Sequence, residues 1–342
     1  MRVCFFARVL PKSSRTVRLE ALQRAEFYKQ DIDILRRLGF DITIATSWSE
    51  IPSDVDFYFI WWWQWGFMPI WKNGLPRKPC LITGVFDFRW TSGQGDYFHR
   101  SPWQRWLMRY ALRRADANIF ISQLEYRQVS QAFEVNNPFY IPLVVDTQTF
   151  RPTAQPREDF ALAIGRMDQG NTVRKCFPEV LRAIPLIRTC HPRMRFVIAG
   201  YKGSDFPKLD LLAHQLGVTE FVEFPGAIPR EKKIELMQRC KVFLSPSRYE
   251  GFGLAILEAM SCGAPVISSP VGAVPEVVGE AGLLIDGTSP EAIAGAVNRY
   301  LAEEGLRQKM SKATRLRAET VFPYSRRKEG LERAIDAILC AN

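Results

Sequence analysis

Short apolar runs alternate with helical stretches from the start of the chain, and after residue 157 the alternation begins again. Residues 3–7 read as a buried strand and 18–39 as a helix closed by Gly39. Residues 40–46 (FDITIAT) alternate like a strand. Apolar runs at 57–60, 80–83 and 118–121 follow, with a helix expected over 102–115. Beyond a polar, proline-marked stretch at 151–157, strands are expected at 160–165, 195–200, 221–224, 242–245 and 265–268. Helices are expected between them at 177–187, 209–216, 232–239 and 254–261. Such alternation specifies parallel sheets covered on both faces by helices. The fold expected is therefore α/β, with two doubly wound domains. Residues 1–150 form the first, 151–157 a linker, and 158–342 the second, whose last helix is placed to pack back on the first. Single cores stop growing near ~250–300 residues, so a chain of 342 that is 47% hydrophobic accords with two. Ligands of doubly wound sheets bind beyond the carboxyl ends of the strands. Two sheets facing a central cleft would suit a two-substrate reaction.

The formal net charge of +10 favours an acidic partner, whether nucleic acid, anionic lipid or a phosphorylated small molecule. The seven cysteines are scattered and form no CxxC pair, and there are three histidines. That usage reads as reduced thiols in a cytoplasmic protein with no metal site. Residues 1–8 lack a signal peptide's apolar run, and no stretch approaches the ~20 apolar residues that span a bilayer. Any membrane contact would be peripheral, at the inner face.

The segment from Ser245 to Met260 carries the densest chemical signal. A strand ends at Ser245, a glycine-bearing loop follows, and a helix begins near Leu254. Gly251 and Gly253 allow close backbone approach to a ligand, and the free N–H groups of the helix start attract anions or hydroxyl oxygens. Glu258 falls in an apolar run, where an unpaired carboxylate is costly. Glu250 reads equally well as a ligand-facing group or a surface glutamate. A second cluster joins Gly165 and Arg166, at a strand end, to Arg174 and Lys175 nine residues on. Arginine offers a fork of donors and lysine a point charge, as a diphosphate requires. On spacing alone, a solvated basic pair fits better.

These residues resemble the Glu–x7–Glu signature of the retaining glycosyltransferases of family 4, the glycosyl transferases group 1. Ser245-Pro246-Ser247, Glu250-Gly251-Phe252-Gly253-Leu254 and Glu258-Ala259-Met260 carry the likeness. Gly263-Ala264-Pro265, Pro275-Glu276-Val277-Val278 and Phe224-Pro225-Gly226 extend it, so that it runs from about residue 141 onward. The resemblance implies a GT-B fold of two Rossmann-like domains, with a nucleotide-sugar donor held by the second. It implies that Arg166 and Lys175 neutralise the donor diphosphate and that Glu250 faces the transferred sugar. The N–H groups of Phe252, Gly253 and Leu254 would orient that sugar. Glu258 would hold the ribose and Ile228 would lie against the base. No cofactor or metal is implied. The partners are the donor and a glycan or lipid-linked acceptor, as in cell-surface polysaccharide synthesis.

Three departures stand out. Residues 168–173 lengthen the loop between Arg166 and the next cations, so Arg174 competes with Lys175. Pro11-Lys12-Ser13-Ser14-Arg15 stands where a Gly-Gly loop is usual. Gly84-Val85-Phe86-Asp87 stands where a histidine is usual, leaving Asp87 and His99 as candidates on the acceptor side. Trp63 and Trp65, from the run 60–67, are further candidates, since indole faces suit sugar rings. At least two of Trp61, Trp62 and Trp63 are expected in the core. Asp31-Ile32-Asp33 and Asp54-Val55-Asp56 mimic a metal-binding Asp-x-Asp but read as structural. On helix 102–115, Trp103, Trp106, Leu107, Tyr110 and Ala111 share one face, and Arg105, Arg109 and Arg113 another. The arginine face reads as a solvated surface, or as one for anionic headgroups. A nucleotide-sugar epimerase is the competing enzyme class, but no separate acid–base set is visible for it. A dehydrogenase lacks its GxGxxG after the first strand. The dispersed basic residues argue against nucleic acid as a partner.

Overall fold

The computed structural model describes residues 1–9, 13–74, 76–88 and 97–340. Pro11 and Lys12, part of the loop singled out above, lie outside these. The chain divides into two compact units, Met1–Val144 with Ser325–Asn342, and Val145–Tyr324.

In the first unit six strands form one parallel sheet: β1 (Arg2–Ala7), β2 (Asp41–Ala45), β3 (Phe57–Trp61), β4 (Cys80–Gly84), β5 (Ala117–Phe120) and β6 (Pro138–Tyr140). Their order is β2-β1-β3-β4-β5-β6. Strands buried on both faces read as unbroken apolar runs, as β1, β3 and β4 do. β2 lies at an edge, and its sequence alternates. The direction of winding reverses between β1 and β3, the point at whose carboxyl ends doubly wound sheets generally bind ligands.

The second unit repeats the principle with β7 (Glu158–Ile164), β8 (Arg195–Ala199), β9 (Val222–Gly226), β10 (Cys240–Ser245), β11 (Val266–Ser268) and β12 (Leu283–Leu284), in the order β12-β11-β10-β7-β8-β9. Here the reversal falls between β7 and β10. Both of the cationic and glutamate-bearing segments picked out from sequence follow these two strands. One face of this sheet packs a core of Ala161, Phe196, Ile198, Val242 and Leu244 against Val180, Ile184 and Val297.

Two stretches of the first unit differ in part from the sequence reading. The helix expected over 18–39 is two, Arg15–Arg24 and Glu26–Arg37, broken where Ala25 adopts an extended conformation. The tryptophan run ends β3 at Trp61, as expected, and after Trp62 opens the helix Trp63–Lys72. The stretch 151–157 lies within the second unit. The Arg157 guanidinium donates to the carbonyls of Met237, Gln238, Cys240 and Cys262, fastening it to the second unit. The helix Tyr324–Cys340 belongs largely to the first unit, where buried Arg327 grips Asp31 with two hydrogen bonds of 2.5 and 2.8 Å. Asp31 also accepts from the Trp61 indole at 3.0 Å, and Asp54 and Asp56 bind Arg2. Both Asp-x-Asp look-alikes are thus structural.

Candidate active site

The site in the second unit is built by two loops that leave the sheet at its reversal point. After β7, Gly165 continues the ladder by donating to the Ala199 carbonyl at 2.9 Å. Residues 168–173, which lengthen the first loop, include most of a short helix, Asn171–Arg174, entered through Gly170 at φ 84°. That turn points Arg174 and Lys175 together at the second loop. Lys175 Nζ donates to Glu250 Oε1 at 2.5 Å, and Arg174 Nη1 lies 3.2 Å from Glu250 Oε2. Arg174 also donates to the Tyr249 carbonyl, while the Arg248 N–H donates to the Arg174 carbonyl at 2.7 Å. One carboxylate thus engages both cations.

Glu250 and Lys175 are buried. Burial by itself would push the Glu250 carboxyl up; Lys175, Arg174 and the Ser247 hydroxyl at 2.7 Å more than offset it and bring it down to about 2. Burial pulls the Lys175 ammonium down, against the attraction of Glu250. The carboxylate therefore stays ionised and pre-positions two positive groups. Arg166 sits apart from them. Its side chain is 69% exposed and its Nε lies 3.1 Å from Asp168 Oδ2, so the added loop supplies its counter-ion.

Glu258 is buried on the helix Leu254–Ser261 and pairs with Lys233 of the helix Arg230–Arg239 at 2.8 Å. This partner answers the problem of a carboxylate in an apolar run, and no sequence signal marked it. Gly253 starts the helix in a left-handed conformation at φ 91°, leaving the first-turn N–H groups without helical acceptors. Phe252 is buried edge-on against Phe322 (5.9 Å between ring centroids). Gly251 lies in the loop between them and Glu250. Ile228 lies on a groove of about 300 Å³ with Phe160, Val197, Pro225 and Leu236, beside the helix that bears Lys233.

Gly272 was not singled out, yet it supports the same loop. Its φ is +54°, and a Cβ there would stand 2.1 Å from the Glu250 carbonyl oxygen, the acceptor for the Ala273 N–H. Gly272→Ala is expected to shift residues 248–253 and to cost about 1–3 kcal/mol of stability. Chemical unfolding of the two proteins checks this, and equal midpoints would show that the loop yields.

In the first unit a pocket of about 140 Å³ opens beyond β3 and β4, lined by Trp62, Trp63, Gln64, Val85, Asp87 and Arg100. Two of its residues adopt left-handed backbone without being glycine, Trp62 at φ 80° and Asp87 at φ 56°. Such conformations cost of order 1–3 kcal/mol and gather at functional sites. Buried Glu125 secures one by accepting from the N–H groups of Phe86 and Asp87 at 2.9 and 2.6 Å. Tyr28 secures the other by accepting from the Trp62 indole at 2.6 Å. Trp61 and Trp63 are core residues. Trp63 stacks on Phe120 and donates to Asn118, although it also lines the pocket. Trp65 lies outside this lining, under the Arg8 guanidinium at 4.1 Å. His99 is exposed on the turn Tyr97–His99 and does not line the pocket, whereas Asp87 does. Among the described residues, no three His, Cys, Asp or Glu side chains gather to hold a metal.

Comparison with known proteins places these features. The O-antigen chain mannosyltransferase B of Escherichia coli is 36% identical over 153 residues, which are 44% of this chain and 39% of that protein. The GDP-mannose-dependent alpha-(1-6)-phosphatidylinositol monomannoside mannosyltransferase of Mycolicibacterium smegmatis is 33% identical over 216 residues, 57% of this chain and 56% of that one. The chain thus matches about half, or less, of the length of these relatives. In fold it is similar to a sucrose-phosphate synthase from Thermosynechococcus elongatus, with a TM-score of 0.81 at 18% identity over 100% of both chains. The two parallel sheets are those of the GT-B architecture. Residues 146–317, just over half the chain, match the model of the family described as Glycosyl transferases group 1. With its Glu250 and Glu258 signature inside that span, the chain belongs to the glycosyl transferases group 1 family.

Proposed function

We propose that this protein is a retaining, metal-independent glycosyltransferase of family 4 that moves a hexose from a nucleotide-diphosphate donor to a glycan or lipid-linked acceptor. The observation that carries this reading is the convergence of Arg174 and Lys175 on Glu250 where the winding of the second sheet reverses. As the bond between anomeric carbon and diphosphate breaks, the electron pair leaves with the diphosphate. Fixed cations in a buried setting stabilise that developing charge. Arg174 and Lys175 would exchange part of their contact with Glu250 for the diphosphate. The acceptor hydroxyl then attacks the same face of the sugar and passes its proton to the departing diphosphate oxygen, so no carboxylate pair is needed. Glu258 would hold the ribose hydroxyls, with Lys233 paired to it at 2.8 Å. Asp87 and Trp62 would contact the acceptor. The enzyme would work in the cytoplasm, at the inner face of the membrane, in cell-surface polysaccharide synthesis.

Calorimetry against UDP, GDP, ADP and their hexose conjugates, with and without EDTA, tests the donor half. The two mannosyltransferases among the relatives make GDP-mannose the first donor to try. One nucleotide should bind regardless of EDTA. Glu258→Ala should weaken it by roughly tenfold or more, the worth of hydrogen bonds to a charged group. Absence of binding to every one of them, by protein shown folded by circular dichroism, would end the transferase reading.

A further inference from the structure

The helix Pro102–Arg114 buries Leu107, Met108, Ala111 and Leu112. Its tryptophans, which share a face with Leu107 and Ala111 on helical spacing, are not in the core: Trp103 is 58% exposed and Trp106 48%. The indole of Trp106 stacks on Tyr110, and Tyr110 meets Trp71 of the helix Trp63–Lys72, itself 50% exposed. A band of aromatic rings therefore runs across two neighbouring helices on the outside of the first unit. Arg109 and Arg113 flank it, both exposed. Among the described residues Arg113 has one long surface pair, 4.0 Å to Glu134, and such pairs contribute little. Neither helix contains an acidic residue. Over residues 61–114 there are nine lysines and arginines against two aspartates.

Water alone does not explain this surface. Three large indoles in solvent are disfavoured, and a protein partner of ordinary composition would have to match a one-signed field. Tryptophan beside arginine, with no carboxylate on either helix, is complementary to the boundary of an anionic bilayer. There the rings sit among headgroups and the guanidinium groups meet lipid phosphates. No helix among the described residues is long and apolar enough to cross a membrane, so such contact would be one-sided. We propose that Trp71, Trp103, Trp106, Arg109 and Arg113 form a docking surface for anionic lipid bilayers. This does not depend on the donor chemistry.

The test is sedimentation of the full chain with vesicles of phosphatidylcholine alone, or of phosphatidylcholine mixed with phosphatidylglycerol. Binding should require the anionic lipid and weaken as salt rises, because exposed charges are screened. Arg109→Glu with Arg113→Glu should lower the vesicle affinity by roughly tenfold or more, and Trp103→Ala with Trp106→Ala by a comparable factor. All four side chains are exposed, so thermal midpoint and nucleotide affinity should not change in either variant. Equal binding to both vesicle types, or undiminished binding by both variants, would overturn the proposal. So would a dimer, seen by light scattering without lipid and abolished by the tryptophan variant, because that would assign the face to self-association.

Discussion

Lys175→Ala is expected to lower kcat by about 10²–10³-fold, the usual loss when one fixed donor is taken from a site of developing negative charge. The ammonium lies 2.5 Å from the Glu250 carboxylate and both groups are buried, so solvent does little to screen it. KM for the donor should change less than kcat, because charge on the diphosphate grows as the bond breaks. Glu250 would keep Arg174 and Ser247, and the fold should survive. Steady-state kinetics with the donor identified by calorimetry gives the answer. A kcat within threefold of wild type would make Lys175 a structural counter-ion and leave the diphosphate to Arg174 and Arg166.

Glu250→Ala should act on stability as strongly as on turnover. It leaves Lys175 and Arg174 facing each other without their common anion, and removing one partner of a buried pair costs about 3–5 kcal/mol. Adding the cognate nucleotide diphosphate should restore more stability to this variant than to wild type, because phosphate oxygens replace the missing charge. The pH dependence has a defined sign. Burial raises the Glu250 carboxyl, but Lys175 and Arg174 bring it from an ordinary 4.5 to about 2. The unfolded chain therefore binds a proton there first as pH falls. The stabilisation is complete above pH 4.5 and is lost progressively between 4.5 and about 2. By pH 3 wild type should have lost about 2 kcal/mol more than Glu250→Ala relative to pH 7. Chemical unfolding at the two pH values measures it, and parallel losses would show that the carboxylate is not held by its cations.

Local sequence reached far in the second unit. The helix Leu254–Ser261 lies where its apolar run and preceding glycine placed it, and β7 and β10 end beside the residues singled out as chemical. Continuous apolar runs mark strands buried on both faces, and that signal needs no knowledge of neighbours. The first unit was less legible where aromatic residues crowd. Trp61, Trp62, Trp63 and Trp65 are equivalent by composition, yet two are core, one carries a left-handed backbone into a pocket, and one lies under Arg8. An amphipathic stripe likewise says that Trp103, Trp106 and Leu107 are neighbours on a helix, not which of them the sheet covers.

By itself, the order of residues determined the two α/β halves and the pair of glutamates eight apart that mark the family, whereas the strand order and its reversal points came from the packed sheets. The former are statements about periodicity and short spacing, which neighbouring residues encode directly. The tertiary structure alone decided which charges meet. Lys233 on Glu258, Arg174 and Lys175 together on Glu250, Glu125 beneath Asp87 and Arg327 on Asp31 join residues 25 to 296 positions apart. A carboxylate in an apolar setting must find a cation or hydrogen-bond donors, because its desolvation otherwise costs too much. Sequence states that requirement, but only the packed chain brings a distant side chain close enough to meet it.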